Sequence, residues 1–445
     1  MKRFVAVLLA LVIIMMAAMS VSAQDVKTIT YHMRYDSANE NVVARMNMIM
    51  NGFKKLEEQD PSVHFEFDLG PKLEVKDLAL QFNAGVPIDL FFDEETAVGL
   101  LFDGGIIQPV DWFLELPNVK GNLFDSVVEL GYYNGVYYGV PIDLAVNMVY
   151  ANKDALKELG WTDEDIAAWP EKVAEGEWTI DDMIAVCKEA LEKGIVKNGF
   201  MLDGIDNASC ASIQGAFDFT NYDRENNKLI FDKEGYKRVY EFFDRAVNQE
   251  GVIPVSLPGY DGTYLSFYNF EDLFFTDVSG YEWMQRYSEM SQEDWAAYYE
   301  EHFTQALQPS ATKGVHAQAL MKMRSMFVTT QVEGEKLEYL KQALNLAYVP
   351  ENMVEESKYF GKLNVMKTMY DLPEVKEFKF LADTAYMAEY GNMRAPHPDF
   401  NSKFHKYFRN QIEAIIVDKI TPEQAVEAFE ADVRFNIEDS EVIYK

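Results

Sequence analysis

The sequence predicts an α/β fold, and three observations carry that reading. Thr28 to Met33 alternates like a strand, Asn41 to Leu56 carries apolar residues at Val42, Met46, Ile49, Met50 and Phe53, and Val63 to Phe67 alternates again. This β-loop-α-β opening is the unit that builds a parallel sheet with covering helices. The alternation then repeats: a helix through Leu78 to Phe82 ends at Gly85, and Pro87 to Phe92 forms a buried strand before the acidic turn Asp93-Glu94-Glu95. Finally, 445 residues, 48% apolar and 25% charged, suffice for two or three domains with cores of their own. A disordered, collagen-like or disulfide-scaffold chain is excluded.

Ahead of these elements, Lys2 and Arg3 precede an unbroken apolar run from Phe4 to Met19, and Ser20-Val21-Ser22-Ala23 supplies small residues for cleavage. Residues 1–23 are therefore expected to be a secretory signal peptide, cleaved near Ala23. No Cys follows, so the lipid-attachment site of a bacterial lipoprotein is missing and the product is expected to be secreted, in the periplasm or outside the cell. With 73 acidic against 40 basic residues, the formal charge of −33 disfavours nucleic acid and anionic membranes as partners.

Further along, Asn134-Gly135 between Tyr132-Tyr133 and Val136-Tyr137-Tyr138 signals a hairpin, because both central turn residues need positive φ. Ile142 to Asp154 continues as an apolar strand running into a helix. Thr179 with Asp182 three positions on, and Asp232 before an amphipathic stretch to Val247, are helix caps. Residues from about Pro254 to Leu320 are the least regular portion. Thr421-Pro422-Glu423 starts a last helix within a helical tail, Phe404 to Phe435. Of the two cysteines, Cys187 falls on the apolar stripe Ile180, Met183, Ile184, Leu191 and is expected to be buried; a bridge to Cys210 stays open.

Taken together, Gly135 to Pro141, Val149 to Asp154 and the Trp178-Thr179 helix start resemble the family 1 extracellular solute-binding proteins of ABC importers. Supporting matches are Phe82 to Asp89, Asp103 to Pro109, the hairpin ending at Asp232, and Thr421 to Val426, in the family's order over nearly the whole chain. The resemblance implies a two-lobed periplasmic-binding-protein-like fold (type II), each lobe a mixed sheet covered by helices and joined by a hinge. On that template one lobe takes 24–147 plus 345–390 and the other 148–344 plus 391–445. It also implies a monomer that binds a carbohydrate between its lobes and delivers it to the permease subunits of an ABC importer, with no cofactor. The sequence departs from the family where Gln331-Val332-Glu333-Gly334 replaces a common Trp, and at Asn364 to Met369.

Sugar recognition needs flat apolar faces for ring C–H surfaces and planar polar groups for hydroxyls. Arg34, Tyr35 and Asp36 after the first strand meet that description, as do Asp93, Glu94 and Glu95, Asp143 with Asn147 across the hinge, Asp203, Gln331, and Phe404 with Tyr407. These are the expected ligand-binding residues, and the ligand is expected to be neutral or cationic. The alternative is a secreted glycoside hydrolase drawing a carboxylate pair from Asp93, Glu94, Glu95 and Asp143. The six His show no paired ligand spacing, so no metal site is expected.

Overall fold

A computed structural model describes residues 26–35, 40–202, 212–255, 260–316, 319–391 and 395–445. The signal-peptide segment, Asp36, Asp203 and Cys210 lie outside the described residues. Strand β1 (Lys27–Tyr35) pairs in parallel with β2 (Val63–Pro71) and β3 (Leu90–Glu94). After a short hairpin, β4 (Tyr132–Tyr133) and β5 (Val136–Tyr137), the chain forms β6 (Gly139–Val146) and then β7 (Met148–Asn152). The hairpin turn is the one the sequence signals, with φ of 50° at Asn134 and 74° at Gly135.

Strands β8 (Asn198–Leu202), β9 (Tyr222–Asp223), β10 (Lys228–Phe231), β11 (Asp272–Asp277) and β12 (Phe303–Leu307) follow, then β13 (Met321–Val328) and β14 (Val442–Tyr444). One sheet has the order β2-β1-β3-β13-β6, a second β12-β7-β11-β8, and a third, smaller one β14-β10-β9. Because β13 pairs antiparallel with both β3 and β6, the chain returns to the first sheet at Met321, not at the expected 345. The segment expected to be least regular instead supplies β11, every residue of which is buried between β7 and β8.

The first sheet buries Tyr31 and Met33 against Ile49 and Phe53 of the helix Glu40–Gln59, the stripe visible in the sequence. The helix Gly334–Ala347 packs on that helix in turn. Around the second and third sheets, the caps stand as read: Thr179 and Thr421 form full capping boxes with Asp182 and Gln424, and Asp232 accepts from the Gly235 N–H. Cys187 is a buried free thiol whose pKa burial pushes up.

Three segments carry the chain between the sheets and lie side by side. Asn147, between β6 and β7, donates its N–H to the Leu320 carbonyl, 2.9 Å away, just before β13. Gly391 rests on the second of these segments, with φ of +93° and room for no Cβ, which would sit 2.3 Å from the Ala319 nitrogen. Gly391→Ala is therefore expected to lower stability by about 2 kcal/mol, read by urea denaturation, through left-handed strain and this contact. A variant as stable as the parent would show that the crossing segments yield freely.

Candidate functional site

Strand direction places the site. β3 and β6 both run opposite to β13, so β1, β2, β3 and β6 all end at one edge of the first sheet, where Met321 enters opposite Val146. In the second sheet Met148 lies opposite Asp277 and Leu307, so β11, its parallel neighbour β8 and β12 all end where β7 begins. The carboxyl edges of both sheets thus meet across Asn147, the arrangement in which open α/β sheets hold ligands.

At the first edge, Tyr35 is half-buried at the end of β1. The Asp93 side chain is 17% exposed, with the Lys72 ammonium 4.0 Å away. Burial pushes the Asp93 pKa upward, against the opposing pull of Lys72 and of the Glu94 N–H that donates to its carboxylate. Glu94 forms an ion pair of 3.2 Å with Arg324 on β13. The edge therefore offers paired cations and carboxylates, both donors and acceptors, with little excess of either charge. Across from it, Val278 and Ser279 follow β11, half-buried. Arg324 and the half-buried Lys322 are absent from the residues chosen from sequence; the alternation Met321-Lys322-Met323-Arg324 was the signal that could have found them.

The lobes also touch directly beside this edge. Asn401 donates to the Thr96 hydroxyl at 2.9 Å, and Arg224 reaches from the β9–β10 hairpin to the Glu129 carbonyl at 3.2 Å. Glu95 is buried here, its carboxylate accepting from the Met323 N–H at 2.9 Å, so it supports β13 instead of facing solvent.

Several expected ligand residues are placed elsewhere. Asp143 is buried, its carboxylate ion-paired with the equally buried Arg45 of the helix Glu40–Gln59. Both faces of β6 are covered, so the side chain had no solvent face to turn toward. Asn147 is fully buried and donates to Ser212 and Thr276, pinning the crossing instead of meeting a ligand. Gln331 accepts from the Ile88 N–H at 2.9 Å, at the amino end of β3, the edge away from the cleft. Phe404 is 1% exposed, within a cluster with Phe429 and Tyr236. Arg34 folds back to the Met33 and Pro87 carbonyls, while Tyr407 is half-buried against the core.

This geometry, two α/β lobes joined by side-by-side crossings with both carboxyl edges turned to one cleft, is the two-lobed periplasmic-binding-protein fold. Solved structures that share it include the sugar-binding protein MalE from the phytopathogen Xanthomonas citri, at 16% identity and a TM-score of 0.72, over 91% of this chain and 96% of that one. A cyclo/maltodextrin-binding protein complexed with maltotetraose is similar at 14% identity and TM-score 0.69, over 92% and 97% of the two chains. The Thermus thermophilus maltotriose binding protein, bound with maltotriose, gives 14% and 0.63, over 92% and 100%. No protein-family model matches the sequence, and no curated protein matches it. Among the described residues, no helix is long and apolar enough to cross a membrane.

Proposed function

We propose that this protein is a solute-binding receptor that captures a carbohydrate between its lobes and delivers it to an ABC importer. The observation that carries the reading is the meeting of both carboxyl edges at one cleft beside three crossing segments. Support comes from the similar structures, which are binding proteins named for sugars and solved with maltotetraose or maltotriose. Tyr35, Lys72, Asp93, Glu94 and Arg324 line the first wall. The receptor is a secreted monomer, exported by residues 1–23, and takes a neutral ligand, since a net-charged one would leave one member of each ion pair opposed.

A hydrolase is disfavoured, because Asp143, one of the carboxylates that reading draws on, is committed to Arg45. Closure follows only from a ligand that touches both lobes and so favours the closed state. Small-angle scattering with a panel of neutral and uronic oligosaccharides is expected to show compaction with a neutral one. Binding without compaction would remove closure, and tighter uronic binding would remove neutrality.

Arg324→Ala is expected to weaken binding about ten- to a hundredfold, the worth of a charged hydrogen bond, with an unchanged melting temperature. Affinity is also expected to fall on mild acidification at a higher pH than an ordinary carboxylate would give, because the Asp93 pKa is raised by burial. Titrations of the parent and Asp93→Asn across pH separate this effect from general acid unfolding. A parent and variant with the same pH profile would remove Asp93 from the site.

A further inference from the structure

On the flank of the junction, away from the cleft, lies a cavity of ≈ 1020 Å³. Its position follows from β12, which reaches the cleft edge at Leu307 but lines this cavity with Phe303, Thr304 and Gln305 at its other end. Second-lobe walls are the helices Asp163–Ala174 and Gln292–His302. The opposite wall, the helix Lys379–Thr384 with Tyr386 and Tyr390, is tied to the first lobe through the Ser126 hydroxyl, which donates to the Ala388 carbonyl. A ligand seated here would touch both lobes.

Three lysines and seven acidic residues line the cavity, and part of this charge is paired. Lys379 pairs with Glu300 across the lobes at 2.8 Å, Lys157 pairs with Asp163 at 2.9 Å, and the Lys153 ammonium donates to the Glu300 carbonyl at 2.5 Å. Asp383 lies within the field of Lys379 and Lys153. An anion entering would meet this excess of carboxylates, Asp383 and Glu300 among them, while the three ammonium groups are already engaged. The ligand is therefore one without negative charge, and the rest of the lining describes it further. Phe378, Tyr386 and Tyr390 are half-buried rings that present apolar faces, and the Tyr386 hydroxyl is buried without a hydrogen-bond partner. Rings for C–H faces beside donors and acceptors for hydroxyls are the complement of a sugar ring. The volume is at the upper end for small-ligand pockets.

We propose that this cavity is a second binding site, for a pyranoside without negative charge, separate from the cleft. The inference does not depend on the receptor reading. Ligand-observed NMR on the full chain, with methyl pyranosides and maltotriose as millimolar probes, tests it. At least one probe is expected to bind the parent and Arg324→Ala alike, to lose binding in Ala297→Trp, which fills the cavity from an exposed helix position, and to weaken about fivefold in Tyr386→Phe. Thermal melts establish that each variant is folded; should Ala297→Trp fail to fold, Thr304→Trp replaces it. The proposal is overturned if no probe binds the parent, or if every bound probe is lost in Arg324→Ala and indifferent to Ala297→Trp and Tyr386→Phe. Binding confined to the cavity would support this site while removing the cleft assignment, and binding confined to the cleft would do the reverse.

Discussion

Replacing Arg45 with Met is expected to lower stability by about 3–5 kcal/mol, because it strands the Asp143 carboxylate in a buried site without its counter-charge. The side chains of Arg45 and Asp143 are only 4% and 2% exposed, so water has no access to take the place of the lost partner. Asp143→Ala is expected to cost a similar amount from the other side of the pair. The double replacement Arg45→Met with Asp143→Leu should recover most of the loss, since two apolar groups of similar volume carry no desolvation penalty. Urea unfolding of the four proteins measures these differences. Should Asp143→Ala melt with the parent while losing ligand affinity, Asp143 would belong to the cleft after all, and the pairing would be incidental to folding.

An opposite sign is expected at Asp272, which is fully buried at the start of β11. One carboxylate oxygen accepts from Asn198 at 2.7 Å and Ser266 at 3.0 Å, while the other is buried without a partner. Burial pushes its pKa up to about 6. The folded protein therefore holds this proton more tightly than the unfolded chain, and the group's contribution to stability is fully present below about pH 4 and lost as pH rises to about 6. The swing amounts to about 3 kcal/mol, leaving a costly buried charge at neutral pH. Asp272→Asn keeps the bonds from Asn198 and Ser266 and removes the charge, so it should stabilise at pH 7.5 and confer no advantage at pH 4. Equal stability differences at the two pH values would show that Asp272 carries no raised pKa.

Local chemistry was legible in the sequence, and long-range pairing was not. The Asn134-Gly135 turn and the caps at Thr179, Asp232 and Thr421 depend on neighbours within a few residues, so spacing alone revealed them. The strand β11 escaped because Asp272-Leu273-Phe274-Phe275-Thr276-Asp277 is buried on both faces and shows no alternation. Asp143 misled for the same reason: on a strand covered on both sides, a carboxylate next to apolar residues marks a buried partner as readily as a ligand. That partner, Arg45, lies on a helix formed much earlier in the chain. Asp93 and Glu94, read as a turn after the strand, are the last two residues of β3, and their charge partners Lys72 and Arg324 come from two other strands or their ends, so that only the fold brings them together.

The side-by-side crossings also set the order in which the molecule can be made. The first sheet is incomplete until Met321–Val328 inserts between β3 and β6, and β10 lacks one of its neighbours until Val442–Tyr444 arrives. A chain emerging from the ribosome thus passes most of its synthesis without a closed sheet. Because loop closure over such distances precedes the contacts that reward it, folding is expected to be slow. Through that interval much of the polypeptide is open to proteases, and resistance is expected to be gained late, when the last strand docks.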